Sequence, residues 1–263
     1  MSTSLTNWNW VTPDKYVADI LAREAVSTGL MSPVWLVQNE LRPHIKEWAN
    51  RFLIDMHPSG SFMKGTCNKS GTDVDLFISL SPDTPESLSE IHDKLCRFMM
   101  GKGYKPRPQN VSVNITVAGQ SVDLVPGKLH NLLCADHSLY RWKADTWTKT
   151  NVQMHIEAVR KSNRLSEIRI LKLWRNQKKL DFPSFYLELS VMRALEGEPN
   201  SSVADNVQKV FKYLIGSFMW ARITDPANTN NIISDDLTVA EKIKVSTAAK
   251  AASESPNWRD IVL

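Results

Sequence analysis

Three aspartates are the residues whose type and spacing are best suited to chemistry. Asp73 and Asp75 lie two residues apart in GTDVDLF, and Asp123 lies further along in VDLVP. Residues two apart on a β-strand project from the same face, so Asp73 and Asp75 would point together. Close carboxylates repel each other, and an oxygen-preferring cation such as Mg²⁺ or Mn²⁺ removes that repulsion. The pattern predicts a metal site, which Asp123 joins if its strand lies beside the first.

Three acids around two metal ions are the arrangement that in-line displacement at phosphorus needs. The two ions, about 3.5–4 Å apart, activate an attacking hydroxyl and neutralise a leaving pyrophosphate. We assign Asp73 and Asp75 to both ions, and Asp123 to the ion that activates the hydroxyl. Each acid alone could be a solvated surface residue, but the order and spacing of all three favour the catalytic interpretation.

A glycine-serine pair precedes the acids by about twelve residues. Gly60 and Ser61 come just before a presumed helical turn. Glycine lets a phosphate approach the backbone closely, while amides and the Ser61 hydroxyl supply hydrogen-bond donors. Alone the pair indicates only a turn. Followed by DVD on an apolar strand, it predicts a nucleotide-binding turn.

The elements that must position these residues can be predicted from periodicity. Apolar spacing predicts a short helix after Pro13 and a long one from Pro33 to about Met56, kinked or broken near Pro43. An apolar run predicts a strand over 74–80. A helix is expected to begin at Thr84-Pro85 and end at Gly101. NVSVNITVAGQSVDLVPG then alternates around an AGQ turn, which predicts two antiparallel strands.

The second half of the chain is predicted to be almost entirely helical. The helical segments are 152–161, 163–179, 184–195, 203–220 and 236–251. This change of pattern predicts an α+β lobe over 1–150, which includes the N-terminal helices, and an all-helical lobe over 151–263.

These motifs together resemble the DNA polymerase β-like nucleotidyltransferase superfamily. IRILKLWRN followed by PSFYLELSVMRALE resembles the oligoadenylate synthase pattern, and TDPANTNNI resembles a late turn of that family. TKTNVQMHIEAV is similar to bacterial members. The chain is thus identified with the branch of oligoadenylate synthases, cyclic GMP-AMP synthases and bacterial CD-NTases. The resemblance implies a mixed sheet with flanking helices, a helical substrate-binding lobe, and an NTP in the cleft between the lobes.

The resemblance also implies roles for residues of the helical lobe. Lys172 would contact the triphosphate of the incoming nucleotide, Ser184 would assist it, and Phe185 would stack on the base. Asp225, Asn228 and Asn231 are expected to tie a loop together rather than touch substrate. The implied activity is synthesis of a cyclic or short linear oligonucleotide messenger from NTPs, with ATP expected among them and a role in antiphage defence.

Composition limits the partners without choosing among them. The 263-residue chain carries a net charge of +4, which suits a small polyanion as well as RNA, so a nucleic-acid partner stays open. No CxxC pair suggests zinc, no apolar run reaches the ~20 residues of a membrane span, and the N-terminus does not resemble a signal peptide. We therefore expect a cytoplasmic enzyme without membrane contact, and an activator that the sequence does not identify.

Two rival functions fit parts of the same pattern. The first is transfer of nucleotides to a macromolecule, either a tRNA 3′ end or a protein target. The second is a catalytically inactive binding module, against which the intact set of three acids argues. The sequence also leaves open the bases used and the choice between 2′-5′ and 3′-5′ linkage.

Overall fold

The computed structural model describes residues 11–71, 73–200 and 202–263. Residues 1–10, on which the expectation of no signal peptide mainly rests, lie outside this range. The chain forms two compact units. The sheet-containing unit comprises Val26–Leu165 and Arg222–Asp236, and the helical unit comprises Ser166–Ala221, Leu237–Leu263 and the N-terminal segment that ends at Ala25.

The sheet-containing unit is built on a seven-stranded mixed sheet. Its strands are β1 (Leu53–Pro58), β2 (Val74–Leu80), β3 (Arg107–Pro108), β4 (Val113–Val117), β5 (Gln120–Leu129), β6 (His137–Arg141) and β7 (Thr146–Thr150). The order is β1-β2-β5-β4-β3, and β6 pairs with β5 and β7. A separate hairpin joins β8 (Thr224–Asp225) and β9 (Asn228–Ile232). The predicted α+β fold with a mixed sheet is therefore confirmed.

Ten α-helices are found in the described residues. In the sheet-containing unit they are α2 (Pro33–Ala49), α3 (Gly60–Lys64), α4 (Leu88–Gly101) and α5 (Val152–Lys161). In the helical unit they are α1 (Pro13–Arg23), α6 (Leu165–Gln177, whose first residue belongs to the other unit), α7 (Ser184–Ala194), α8 (Val203–Ile215), α9 (Val239–Ser253) and α10 (Trp258–Ile261). None of these helices is long and apolar enough to cross a membrane.

The two faces of β2 differ in character. Val74, Leu76, Ile78 and Leu80 point to a core that also includes apolar side chains of α2 and α4. Alternation on a strand sends the intervening side chains, including Asp75, to the opposite face. The side chain of Asp75 is therefore carried on a strand whose own position is fixed by core packing.

The predicted hairpin around AGQ is present as β4 and β5. Val117 pairs with Gln120, which leaves Ala118 and Gly119 as a two-residue turn. Both turn residues have positive φ, 48° and 81°, as a two-residue hairpin that follows the strand twist requires.

The prediction of one helix from Pro33 to about Met56 is wrong at its end. Helix α2 runs through Pro43 and stops at Ala49, where Asn50 has φ 49°. The residues from Leu53 onward form β1, which pairs antiparallel with β2. The free energy of pairing with β2 outweighs the local helix propensity of these residues.

The expected helix start at Thr84-Pro85 is also wrong, because Ser87 forms a capping box with Glu90 and begins α4 at Leu88.

The two compact units are not separated by a single boundary near residue 150. The chain leaves the sheet-containing unit at Leu165, passes through the helical unit, returns for Arg222–Asp236 and leaves again. The first helix, α1, belongs to the helical unit, where Tyr16 donates a hydrogen bond to the carbonyl of Val262 and Asp14 accepts one from the amide of Ala204.

Candidate active site

Asp75 and Asp123 are brought side by side by the register of two neighbouring strands. Strands β2 and β5 pair in parallel, and Asp75 stands directly opposite Asp123. Partners across a sheet project from the same face, and adjacent strands lie about 4.8 Å apart. Asp73 immediately precedes β2 and is exposed to solvent. Its charge acts on both of the other acids, so the three predicted acids form one electrostatic group.

The surroundings of Asp75 disfavour the ionised form of its carboxyl group. Burial, with the charges of Asp123 and Asp73, raises its pKa to about 6, although the cation of Lys64 and a hydrogen bond from the Ser61 amide act in the opposite direction. Burial also raises the pKa of Asp123, against the hydrogen bonds from Asn114 and Ser112. Removal of water and mutual repulsion both disfavour the charged forms.

The donor set fits a divalent cation. A hard cation prefers carboxylate oxygens and would cancel the repulsion that these acids impose on one another. Among the side chains that the structure describes, no three from His, Cys, Asp and Glu are already gathered closely enough to hold a metal ion. The backbone register keeps Asp75 and Asp123 on adjacent positions of neighbouring strands, and these two acids would hold such a cation.

Gly60 is needed where it lies because Asp75 occupies the space of a side chain. Its φ is +53°, and a Cβ atom there would lie 1.8 Å from Oδ2 of Asp75. The next residue, Ser61, is half-buried and donates its backbone N–H to Asp75. The predicted nucleotide-binding turn therefore packs directly against the predicted catalytic acid. The position of Asp75 therefore requires glycine at residue 60, apart from any approach of a phosphate to the backbone.

Two residues of this site were not selected from the sequence. Lys64 is 9% exposed at the end of α3, and its charge favours the ionised form of Asp75. Asn114 on β4 pairs with Asp123 across the sheet and donates a hydrogen bond of 2.8 Å to its Oδ1. Asn114 could have been found, because the hairpin register predicts which β4 residue faces Asp123.

The residues predicted to bind nucleotide in the second half all lie in the helical unit. Lys172 on α6 is 6% exposed, and its Nζ lies 2.5 Å from Oε1 of Glu188 on α7. Ser184 is exposed at the start of α7 and accepts a hydrogen bond from Arg175. Phe185 is half-buried beside it. Their predicted roles toward triphosphate and base stay predictions, and Lys172 has an internal carboxylate partner.

The turn over residues 224–232 is held in place by hydrogen bonds of its polar side chains. The carboxylate of Asp225 accepts hydrogen bonds from the Ala227 amide (2.8 Å) and the Asn231 side chain (3.2 Å), and lies 2.6 Å from Nε2 of His155. Asn228 donates to the carbonyl of Lys149. These contacts are those expected of a structural role for the three polar residues.

No family profile matches the chain. It is 25% identical over 245 residues to the cyclic AMP-AMP-AMP synthase of Escherichia coli (strain MS 115-1), covering 83% of this chain and 76% of that protein.

Several solved structures have the same fold. The Escherichia coli MS115-1 CdnC in complex with HORMA-deltaN has a TM-score of 0.75 and 21% identity, over 94% of this chain and 96% of that one. The Bradyrhizobium diazoefficiens CD-NTase CdnG in complex with GTP gives 0.75 and 12%, over 92% and 90%. The Cid1 poly(U) polymerase with Mg and 3′-dATP bound gives 0.67 and 12%, over 93% and 95%.

Fold and comparisons agree on the class of protein. The chain has the fold of the DNA polymerase β-like nucleotidyltransferases, as the sequence predicted. Its sequence is similar to that of the cyclic AMP-AMP-AMP synthase over most of its length, and its fold is shared with a bacterial CD-NTase.

Proposed function

We propose that this chain is a divalent-metal-dependent nucleotidyltransferase that makes a cyclic or short linear oligonucleotide messenger from NTPs. The observation that carries the proposal is the placement of Asp75 directly opposite Asp123 on parallel strands, with Asp73 two residues away. Similarity to a cyclic AMP-AMP-AMP synthase supports the product class and ATP as a substrate.

The proposed reaction is an in-line displacement at the α-phosphorus of an NTP. A ribose hydroxyl of a second nucleotide forms a new bond to the α-phosphorus, and its proton passes to water. The bond from the α-phosphorus to the bridging oxygen breaks, so pyrophosphate leaves. Two divalent ions would activate the hydroxyl and neutralise the pyrophosphate. Asp73 and Asp75 would hold both ions, and Asp123 would hold the ion nearer the hydroxyl.

The other predicted residues would bind the substrate. The Gly60-Ser61 turn would receive phosphate oxygens of the donor through backbone amides and the serine hydroxyl. Lys172 and Ser184 would contact the triphosphate, and Phe185 would stack on the base, for which any aromatic face is suitable. These three assignments rest on the resemblance of their sequence motifs.

The biological setting is proposed from the same relatives. A nucleotide messenger made from the NTP pool fits a cytoplasmic enzyme, and antiphage defence fits the CD-NTase resemblance. The CdnC relative is solved in complex with HORMA-deltaN, which supports the proposal that this chain also binds a protein partner.

The test is incubation of the purified protein with all four NTPs, one carrying an α-³²P label at a time. Mg²⁺ or Mn²⁺ is supplied, and the products are treated with phosphatase and separated by thin-layer chromatography. The matched control is Asp73→Ala/Asp75→Ala. A phosphatase-resistant small product that is absent in the control and with chelator would establish the function. It would also name the bases.

A second candidate is transfer of nucleotides to a macromolecule. The shared fold with the Cid1 poly(U) polymerase favours including RNA among the acceptors. The same assay is therefore repeated with added tRNA, an unstructured RNA and a cell protein fraction. Label that moves onto a macromolecule, with no small product, would contradict the messenger proposal. No product in any of these assays, with label retained on bound NTP, would indicate a binding module.

A further inference from the structure

A histidine lies on the same sheet face as the catalytic acids. His57 on β1 stands opposite Phe77 on β2, and Phe77 is two residues after Asp75. Phe77 and Asp75 therefore share a face, and His57 shares it with them. His57 is a diagonal neighbour of Asp75, for which Cα atoms lie about 7–8 Å apart. Its side chain is 41% exposed, so the ring is accessible to a bound molecule.

A carboxylate orients the ring of His57. Oδ2 of Asp55 lies 3.1 Å from Nδ1 of His57. A carboxylate oxygen only accepts, so Nδ1 carries a proton and Nε2 is left pointing away from Asp55. Asp55 is itself approached by Arg42, at 3.9 Å. The imidazole also packs against the ring of Phe77, with centroids 5.7 Å apart.

An irregularity of β1 produces this arrangement. The register shifts between Leu53, opposite Leu80, and Asp55, opposite Ser79. The extra residue is a β-bulge, which reverses the alternation and directs Asp55 to the face of Asp75. Side chains of α2 support the bulged strand from its open edge, since Gln38 and Arg42 both donate to the carbonyl of Met56.

The position of His57 along β1 indicates whether it lies nearer the donor or the acceptor nucleotide. The chain runs along β1 past Asp55 and His57 to Ser59, whose amide donates to the carbonyl of Asp75. It then continues into Gly60 and Ser61. The phosphate-binding turn and His57 thus lie on opposite sides of Asp75. In-line displacement puts the attacking oxygen opposite the leaving pyrophosphate. With the pyrophosphate toward Gly60 and Ser61, the attacking nucleotide lies toward His57.

We propose that His57, oriented by Asp55, hydrogen-bonds through Nε2 to the ribose of the acceptor nucleotide and so positions its attacking hydroxyl. This inference rests on the proposed nucleotidyltransfer. It assigns no proton transfer to His57. A ring held by a carboxylate and an aromatic face loses little freedom when it binds, which makes it suitable for positioning a substrate.

The test separates acceptor from donor. The donor is 2′,3′-dideoxy-ATP, which has no hydroxyl that can attack, and the acceptor is AMP, which has no pyrophosphate to lose. If the four-NTP assay identifies other bases, the corresponding analogues replace these. KM is measured for each nucleotide with wild type, His57→Ala, His57→Gln and Asp55→Ala. The matched control is His130→Ala, an exposed histidine just past the far end of β5.

Loss of the hydrogen bond should raise the KM for AMP about 3- to 10-fold in His57→Ala, with the KM for the donor unchanged. His57→Gln should recover part of the effect, because its amide oxygen can accept a hydrogen bond in place of Nε2, and Asp55→Ala should give an intermediate value. His130→Ala should match wild type. An unchanged KM for AMP in His57→Ala, or a rise for the donor alone, would overturn the inference. Failure of wild type to join any nucleotides would instead overturn the proposed function and this inference with it.

Discussion

At the scale of single residues, the site depends on how closely Gly60 and Asp75 approach. Gly60 holds φ +53°, and the nearest atoms to its missing Cβ belong to the Asp75 carboxyl group. A side chain at residue 60 would have to displace that carboxyl group. A local backbone requirement and the proposed catalytic requirement therefore coincide at one residue.

Gly60→Ala is expected to reduce nucleotidyl transfer by about 100-fold, since a displacement of about 1 Å at a reacting group can cost that much. The control is Gly103→Ala. Gly103 also has positive φ, +89°, but no atom lies within 4 Å of its Cβ position. Backbone strain is thus common to both variants, and the clash is confined to Gly60→Ala. Equal activity in the two variants would contradict the assigned role of the contact.

Asp75 is expected to make the metal-free protein less stable at neutral pH than in mild acid. Its pKa is raised from 3.8 to about 6 by burial and neighbouring acids. The folded state therefore binds the proton more tightly than the unfolded state. Stability falls as the pH rises from about 4 to about 6 and stays reduced above that range.

Asp75→Asn cannot ionise and should unfold at a higher temperature than wild type near pH 8 in chelator. The expected rise is about 2–4 °C, which corresponds to roughly 1 kcal/mol in a domain of this size. Millimolar Mg²⁺ should stabilise wild type but not the variant. Asp83→Asn, at an exposed carboxylate, is the control. A lower melting temperature for Asp75→Asn in chelator would show that the carboxylate is stabilising as it stands.

At the scale of elements, the buried pair Lys172–Glu188 joins α6 to α7. A lysine in the apolar run ILKLW predicts an anionic partner for its charge, and the family resemblance implies that this partner is a substrate phosphate. The structure supplies a carboxylate from the next helix, 16 residues later. Helical periodicity places Lys172 on the inner face of α6 but does not say which side chain of α7 meets it.

Breaking this pair from one side is expected to be costly. Lys172→Met and Glu188→Met should each lower the free energy of unfolding by about 3–5 kcal/mol, the usual effect of removing one partner of a buried ion pair. Lys172→Met/Glu188→Met should lose less than the sum of the two single changes. Asp19→Ala, which removes an exposed pair with Lys15, should change stability by less than about 1 kcal/mol. Chemical denaturation measures all four, and additive losses would contradict the coupling.

At the scale of the whole molecule, the sheet-containing unit is completed by a segment that returns from elsewhere in the chain. Arg222–Asp236 rejoins that unit after an excursion of 56 residues, Ser166–Ala221. Asp225 on β8 contacts His155 on α5, 70 residues earlier. Two separate sequence motifs of the predicted family pattern are thus joined by one short polar contact.

Asp225→Asn is expected to loosen this returning segment. Burial acts to raise the pKa of Asp225, but the hydrogen bond and charge of His155, with the Ala227 amide and Asn231, hold it below 3.8. A lowered pKa means that the carboxylate stabilises the fold at pH values above about 4, and that this contribution is lost on further acidification. The variant should melt lower at pH 7 and exchange amide hydrogens faster in 222–236. Asp235→Asn, an exposed neighbour, should do neither.

The sequence by itself determined the features that depend on local geometry. The i, i+2 spacing of Asp73 and Asp75 predicts that they share a face, although only Asp75 lies within β2 and Asp73 directly precedes it. The strand over Val74–Leu80, the hairpin that presents Asp123, and most helices of the second half follow from periodicity and turn chemistry. The resemblance to the nucleotidyltransferase superfamily was recognisable from the sequence because its motifs are short local segments that occur in the expected order.

Only the tertiary structure decided which strands lie together. The parallel pairing of β2 with β5 sets Asp75 against Asp123, and the pairing of β1 with β2 turns a predicted helix end into an edge strand. That edge brings Asp55 and His57 to the site, as helix packing brings Glu188 to Lys172. The physical reason is the same throughout: such contacts form between residues far apart in sequence, whose packing free energy outweighs local propensity and leaves no periodic trace.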